Sequence, residues 1–180
     1  MDIYLMRHFK VDFEWEKKYS SKEFKIACDN YDNSDIINQT IEFDSNDVQQ
    51  IYISDLIRSN LTYKSLNIDI KTNKTDLINE VPILPFIKTK FKLPTSIWMI
   101  LGRIQWFLNI KRQPEIRRDT LNKIETLISQ LEKEKNNTLI IGHGFYFSQL
   151  KRVLKKMNYS GNGKSHYKNG EVIKFNKASG

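Results

Sequence analysis

Apolar positions in this chain come in three short blocks, each ending in polar or charged residues, and the stretches between them mostly repeat at helical spacing. Ile3 to Met6 is the first block, an apolar run that reads as a buried strand and ends in Arg7-His8. Val48 to Ile53 is the second, ending in Ser54-Asp55, and Thr138 to Ile141 is the third, ending in Gly142-His143-Gly144. Between them, Ser20 to Glu23 has the Ser-x-x-Glu pattern of a capping box, predicting a helix to about Asp29 or Asn30 with Phe24 and Ala27 or Cys28 inward. A helix from Leu56 to about Leu66, capped by Ser54-Asp55, carries Leu56, Leu61 and Leu66 as a possible apolar stripe.

Ile68 to Ile70 reads as a short strand followed by a polar turn, and Asp76 to Val81 as a short extended piece before Pro82 and Pro85. Thr95 to Ile110 is apolar and aromatic on a broad surface, so this helix is either well buried or covers a pocket. Trp98, Trp106 and Phe107 fit core packing first, then a lid over a site, with a membrane-facing helix as a further reading. Pro114 opens a long helix to Lys133, with Ile116, Leu121, Ile124, Leu127, Ile128 and Leu131 at helical spacing. A helix from about Phe145 to Lys156, a Gly-, Ser- and Asn-rich loop from Asn158 to Asn169, and an alternating edge strand from Glu171 to Phe175 complete the chain. No repeat or linker interrupts it, so residues 1–180 are expected to form a single α/β domain.

Composition narrows the function. The chain is 39% hydrophobic, with no run near the length of a membrane span. Lone Cys28 and a first segment without a basic, apolar leader point to a reducing, cytoplasmic setting. Lys+Arg 29 against Asp+Glu 21 gives a net charge of +8, which favours anionic partners. No RNP-like aromatic pattern or zinc spacing accompanies that charge, so neither nucleic acid nor a membrane is expected as a partner. A solvated loop accounts for Lys88, Lys90 and Lys92, and a structural role for His166.

Three strand ends, carrying Arg7-His8, Ser54 with Arg58 one helical turn on, and His143-Gly144, would meet at one edge of a sheet. Two arginines and two histidines gathered there suit a phosphate, because the guanidinium fork pairs with its oxygens and stays charged. Helix starts after Ser54 and Gly144 would add backbone N–H donors.

Leu5-Met6-Arg7-His8 resembles the opening motif of the histidine phosphatase superfamily. Ser54-Asp55-Leu56-Ile57-Arg58-Ser59 resembles its second signature, Leu77-Ile78-Asn79-Glu80 its Leu-x-x-Glu segment, and Ile140-Ile141-Gly142-His143-Gly144 its late His-Gly motif. The four follow the family's order. The resemblance implies a three-layer α/β/α sandwich with a mostly parallel central sheet, the phosphoglycerate mutase-like fold. It further implies a metal-independent, cofactor-free phosphomonoesterase acting on a small phosphorylated metabolite. His8 would be the nucleophile that becomes phosphohistidine, and Glu80 the proton donor to the leaving alcohol and then the base for water. Arg7, Arg58, His143 and Gly144 would bind the phosphate, with Lys10 and Ser54 as possible substrate contacts.

Three departures bear on substrate and rate. Phe9 stands where the family usually has Gly, Glu14 where many members have Asn, and the Pro-broken Val81 to Phe86 follows Glu80. A phosphoryl mutase, or a weakly catalytic protein that binds a phosphate ester with Phe9 blocking turnover, are the alternatives. The sequence carries no signal for oligomeric state.

Overall fold

In the computed structural model, residues 1–41, 43–161 and 168–177 are described. His166 and the middle of the Asn158 to Asn169 loop lie outside them. The elements in chain order are β1 (Asp2–Arg7), β2 (Lys18–Tyr19), α1 (Ser21–Asn33), β3 (Gln50–Ser54), α2 (Ile57–Leu66) and β4 (Thr72–Thr75). A short 3-10 turn at Asp76–Ile78 precedes β5 (Leu93–Pro94), α3 (Thr95–Phe107), α4 (Arg117–Glu134), β6 (Thr138–Gly142), α5 (Gly144–Lys156), β7 (Tyr159–Gly161) and β8 (Val172–Lys177).

Six of these strands form one sheet in the order β4-β3-β6-β1-β8-β7. The first four run parallel, and β8 pairs antiparallel with both β1 and β7. The parallel strands are apolar at successive positions because both faces are covered. Ile3, Leu5, Tyr52 and Ile140 pack with Ile124, Leu127 and Ile128 of α4 and Phe147 and Leu150 of α5. The alternate residues Tyr4, Met6, Ile51, Ile53, Leu139 and Ile141 pack on the other face, against Tyr63 and Leu66 of α2. A third apolar cluster lies to the side. It joins Tyr19, Phe24, Ala27 and Trp98, with Trp15, Ile83, Phe86 and Met99 packed around them.

The helix at Ser20 forms as its capping box predicts, with Ser20 Oγ accepting from the Glu23 N–H and Glu23 accepting from the Ser20 N–H. It ends at Asn33, a turn later than expected. Several other expectations are corrected. The strand falls at Thr72–Thr75, not Ile68 to Ile70. This is an edge strand, held by register with Ile51 to Ser54 and free to be polar. The extended piece at Asp76 is a 3-10 turn, because Thr75 Oγ1 caps it by accepting from the Leu77 N–H. The long helix starts at Arg117, beyond Pro114, where Asp119 accepts from the Ile116 N–H. The last strand, β8, is interior, and β7 takes the edge. In α2 the fully buried residues are Arg58, Ser59 and Thr62, because that face meets the polar strand ends; of the expected leucine stripe, Leu66 packs on the sheet, partly buried.

Candidate active site

Parallel pairing puts the three signature strand ends side by side. Arg7 sits opposite Gly142 across the β1–β6 ladder, and β3 lies on the far side of β6. The backbone then fixes His8. Its N–H donates to the Gly142 carbonyl at 2.9 Å, and its own carbonyl accepts from Asn169 Nδ2 at 2.7 Å. The Gly170 N–H holds the Arg7 carbonyl at 2.8 Å from the chain entering β8. That close return uses the left-handed φ of +76° at Gly170, which a side chain would strain.

His8 is buried, and its Nδ1 lies 2.6 Å from the Phe9 carbonyl oxygen. A carbonyl can only accept, so Nδ1 carries the proton and Nε2 keeps its lone pair. Burial is the main cause that lowers the His8 pKa to about 3, with the charges of Arg58 and Arg7 adding to it; the Phe9 bond acts the other way. The imidazole is therefore neutral at neutral pH. His143 is fully buried, with its ring 5.1 Å from that of His8. Its Nδ1 accepts from Arg58 Nε at 3.2 Å, which places the proton on Nε2, 2.8 Å from Ser54 Oγ. Burial, then Arg58, hold its pKa well below the usual value.

Ser54 is a hub rather than a pocket wall. Its hydroxyl donates to Asn79 Oδ1 at 2.8 Å and accepts from His143 and from the Leu56 N–H. Asn79 Oδ1 also accepts from the Asp55 N–H, so it ties the start of α2 to the segment carrying Glu80. Glu80 itself caps α5. Its carboxylate accepts from the N–H groups of Phe145, at 3.2 Å, and Tyr146, at 3.0 Å, in the favourable position for an anion at a helix N-terminus. Gly144 lies between them and Arg7. A Cβ there would come within 3.1 Å of Arg7 Nε, so the glycine lets the guanidinium lie against the helix start.

Arg7, His8, Arg58, Glu80 and Gly144 line one cavity of about 740 Å³. His143 and Ser54 stand behind it, buried. Lys10 is exposed and outside the lining, as is Glu14. Phe9 is also outside the lining. Its side chain is fully buried, its N–H donates to Thr62 Oγ1 at 2.9 Å, and its carbonyl orients His8. The non-glycine residue thus leaves the cavity open.

Two cavity residues, Asp32 and Arg103, lie outside the motifs, and a third, Asn79, has a role that its motif does not show. Asp32, near the end of α1, accepts from Arg58 Nη1 at 2.7 Å, and the Arg58 guanidinium lies 5.2 Å from the ring centre of its neighbour Tyr31. Asn79 was inside a recognised motif, but only its tie to Ser54 reveals its role. Arg103 of α3 stacks on Phe145 at 3.9 Å and donates to the Val81 carbonyl at 2.9 Å. Its signal is visible in the sequence: it is the one charged residue of the helix. Nothing local to Asp32 marks it.

Trp98 and Trp106 are core residues, as read, with their indole N–H groups donated to the Tyr19 carbonyl and Thr120 Oγ1. Phe107 is exposed. Among the described residues, no group of His, Cys, Asp and Glu is placed to hold a metal ion.

No protein-family model matches the chain, and no curated protein matches it in sequence. Solved structures do match. The alpha-ribazole phosphatase from Shigella flexneri aligns with a TM-score of 0.60 at 14% identity, covering 97% of this chain and 89% of that one. A mycobacterial hydrolase aligns with a TM-score of 0.58 at 14% identity, over 96% and 80% of the two chains. An open-reading-frame product from Mycobacterium tuberculosis gives 0.55 at 12% identity, over 96% and 89%. With its six-stranded, mostly parallel sheet between flanking helices, the chain has the phosphoglycerate mutase-like fold of the structures it aligns with.

Proposed function

We propose that the protein is a phosphomonoesterase that hydrolyses a small phosphorylated substrate through a phosphohistidine at His8. The observation that carries this reading is the state of His8: neutral, buried, with Nδ1–H committed to the Phe9 carbonyl and Nε2 unprotonated beside two arginines.

In the first step the Nε2 lone pair attacks phosphorus and the P–O ester bond breaks. The leaving oxygen takes a proton from Glu80 in its carboxylic acid form, and the carboxylate left behind is the form that the Phe145 and Tyr146 N–H groups hold. In the second, water attacks the phosphohistidine, gives its proton to Glu80, and the P–N bonding pair returns to Nε2. Arg7 and Arg58 neutralise the non-bridging oxygens, which carry the charge of the transition state. Asp32 holds Arg58 through Nη1, so an incoming phosphate competes with it for that nitrogen, one anion against another. His143 has both ring nitrogens engaged, so its first task is to hold Arg58 and Ser54 in place; a contact to phosphate requires a proton on Nδ1 once Arg58 has turned to the ligand. Gly144 keeps Arg7 close to the helix start. Two arginines supply the positive charge, so the scheme needs no metal.

The site is open enough for a metabolite-sized leaving group, and the lone Cys28 suits a reducing cytoplasm. Hydrolysis of p-nitrophenyl phosphate and of a metabolite panel tests the reading. Wild type should release phosphate and His8→Ala should lose about a thousandfold or more, as removal of a covalent nucleophile does. Equal, slow release by both proteins would end it. In the same panel, isomerised phosphate esters in place of free phosphate would identify a mutase.

A further inference from the structure

Among the described residues, most of the large apolar side chains left exposed belong to one segment. Ile97, Ile100, Ile104, Phe107 and Leu108 form a continuous outer stripe on α3, between 37% and 59% exposed. Ile87 and Phe91, the latter 81% exposed, precede it in the approach to the helix, and Ile110 follows it. Helical spacing sorts α3 into three faces. Trp98, Gly102 and Trp106 are buried, Met99 and Arg103 line the cavity, and the isoleucine stripe lies next to the cavity face, turned outward.

The same segment is the most one-sided in charge. From Val81 to Pro114 the sequence has no Asp or Glu, while Lys88, Lys90, Lys92, Arg103, Lys111 and Arg112 are all cationic. Glu23 neutralises Lys92 at 2.9 Å. Lys88, Lys90 and Lys111 are exposed and form no ion pair among the described residues, and neither does Arg118 just beyond. Cations therefore stand at both ends of an exposed apolar stripe, with no carboxylate from the same segment between them.

We propose that α3 and the loop before it are a docking surface for an anionic lipid bilayer, on which the helix lies in the interface plane. An apolar stripe that enters the acyl boundary, flanked by basic side chains at the headgroup level, is the arrangement such helices need. Charge complementarity favours this occupant over a second copy of the chain, since an isologous contact would bring two cationic segments together. It departs from the expectation that no membrane is a partner, and it is distinct from a span, because no helix among the described residues is long and apolar enough to cross a membrane. Docking would set the cavity rim formed by Met99 and Arg103 beside the headgroups.

Sedimentation of the full chain with unilamellar vesicles tests this without any need for turnover. Vesicles of phosphatidylcholine and phosphatidylglycerol should bind the protein about tenfold or more tightly than phosphatidylcholine alone, and high salt should release it. An Ile100→Asn/Phe107→Asn double variant should bind about tenfold less while keeping wild-type circular dichroism and p-nitrophenyl phosphate turnover. Lys88→Gln/Lys90→Gln should weaken binding to the anionic vesicles alone. No sedimentation with anionic vesicles at low salt, or unchanged binding by the double apolar variant, would overturn the proposal. So would a solution dimer that the same apolar double variant dissociates, because that assigns the stripe to a second copy.

Discussion

At the scale of single residues, the site is defined by which nitrogen or oxygen is already spoken for. His8 is ready because a carbonyl claims Nδ1, and that carbonyl belongs to Phe9, the residue that departs from the family pattern. The departure is accommodated by pointing the ring into the core and tying the N–H to Thr62. Arg58 is in the opposite condition. Its Nη1 is taken by Asp32, whose side chain is half exposed, so the pair is a modest competitor rather than a lock. Asp32→Asn should therefore tighten inhibition by inorganic phosphate or vanadate by about two- to fivefold, the range that a partly screened ion pair allows. Measured inhibition constants check this, and a variant that binds phosphate more weakly would show that Asp32 positions Arg58 for the ligand instead of competing with it.

At the scale of elements, what the sequence revealed depends on how each element is stabilised. The parallel strands β1, β3 and β6 are buried on both faces, so their apolar runs were plain, and the residues at their ends were placed correctly at one sheet edge. β4 was missed because an edge strand needs only backbone partners, and Thr72 to Thr75 carry no apolar signal. The leucine stripe read for α2 holds only at Leu66, because hydrophobic spacing assumes an apolar neighbour, whereas Arg58, Ser59 and Thr62 face His143 and Phe9. The broad apolar surface of α3 admitted burial or a cavity. The structure divides it into both and adds an exposed stripe. Glu80 was found through its motif, but its position as the cap of α5 was not, because that contact spans sixty-five residues of sequence. Asp32 is the hardest case: it reaches the site only through the packing of α1 beside α2.

At the scale of the whole molecule, two uncharged histidines are buried where β1 and β6 end. Each has its pKa lowered mainly by burial, that of His8 to about 3 from the ordinary 6.5. Below pH 6.5 the unfolded chain binds protons that the folded one does not, so folding stability rises with pH across this window. The contribution is fully present above 6.5 and is lost as the pH falls towards 3. Urea unfolding at a series of pH values should show stability declining from about pH 6.5 downwards, with a shallower slope in His8→Asn. Equal slopes for the two proteins would mean that His8 takes up its proton without cost to the fold.

All of this chemistry converges on a covalent bond between His8 and phosphorus, and trapping that bond is the most direct measurement. The protein is mixed with a phosphate ester carrying radioactive phosphorus, quenched in denaturant within the first turnover, and analysed for protein-bound label. The mechanism predicts label that is stable to base, labile to acid, confined to the peptide containing His8, and lost in His8→Ala. Turnover of the ester with no such label, or label that survives the His8→Ala substitution, would contradict it.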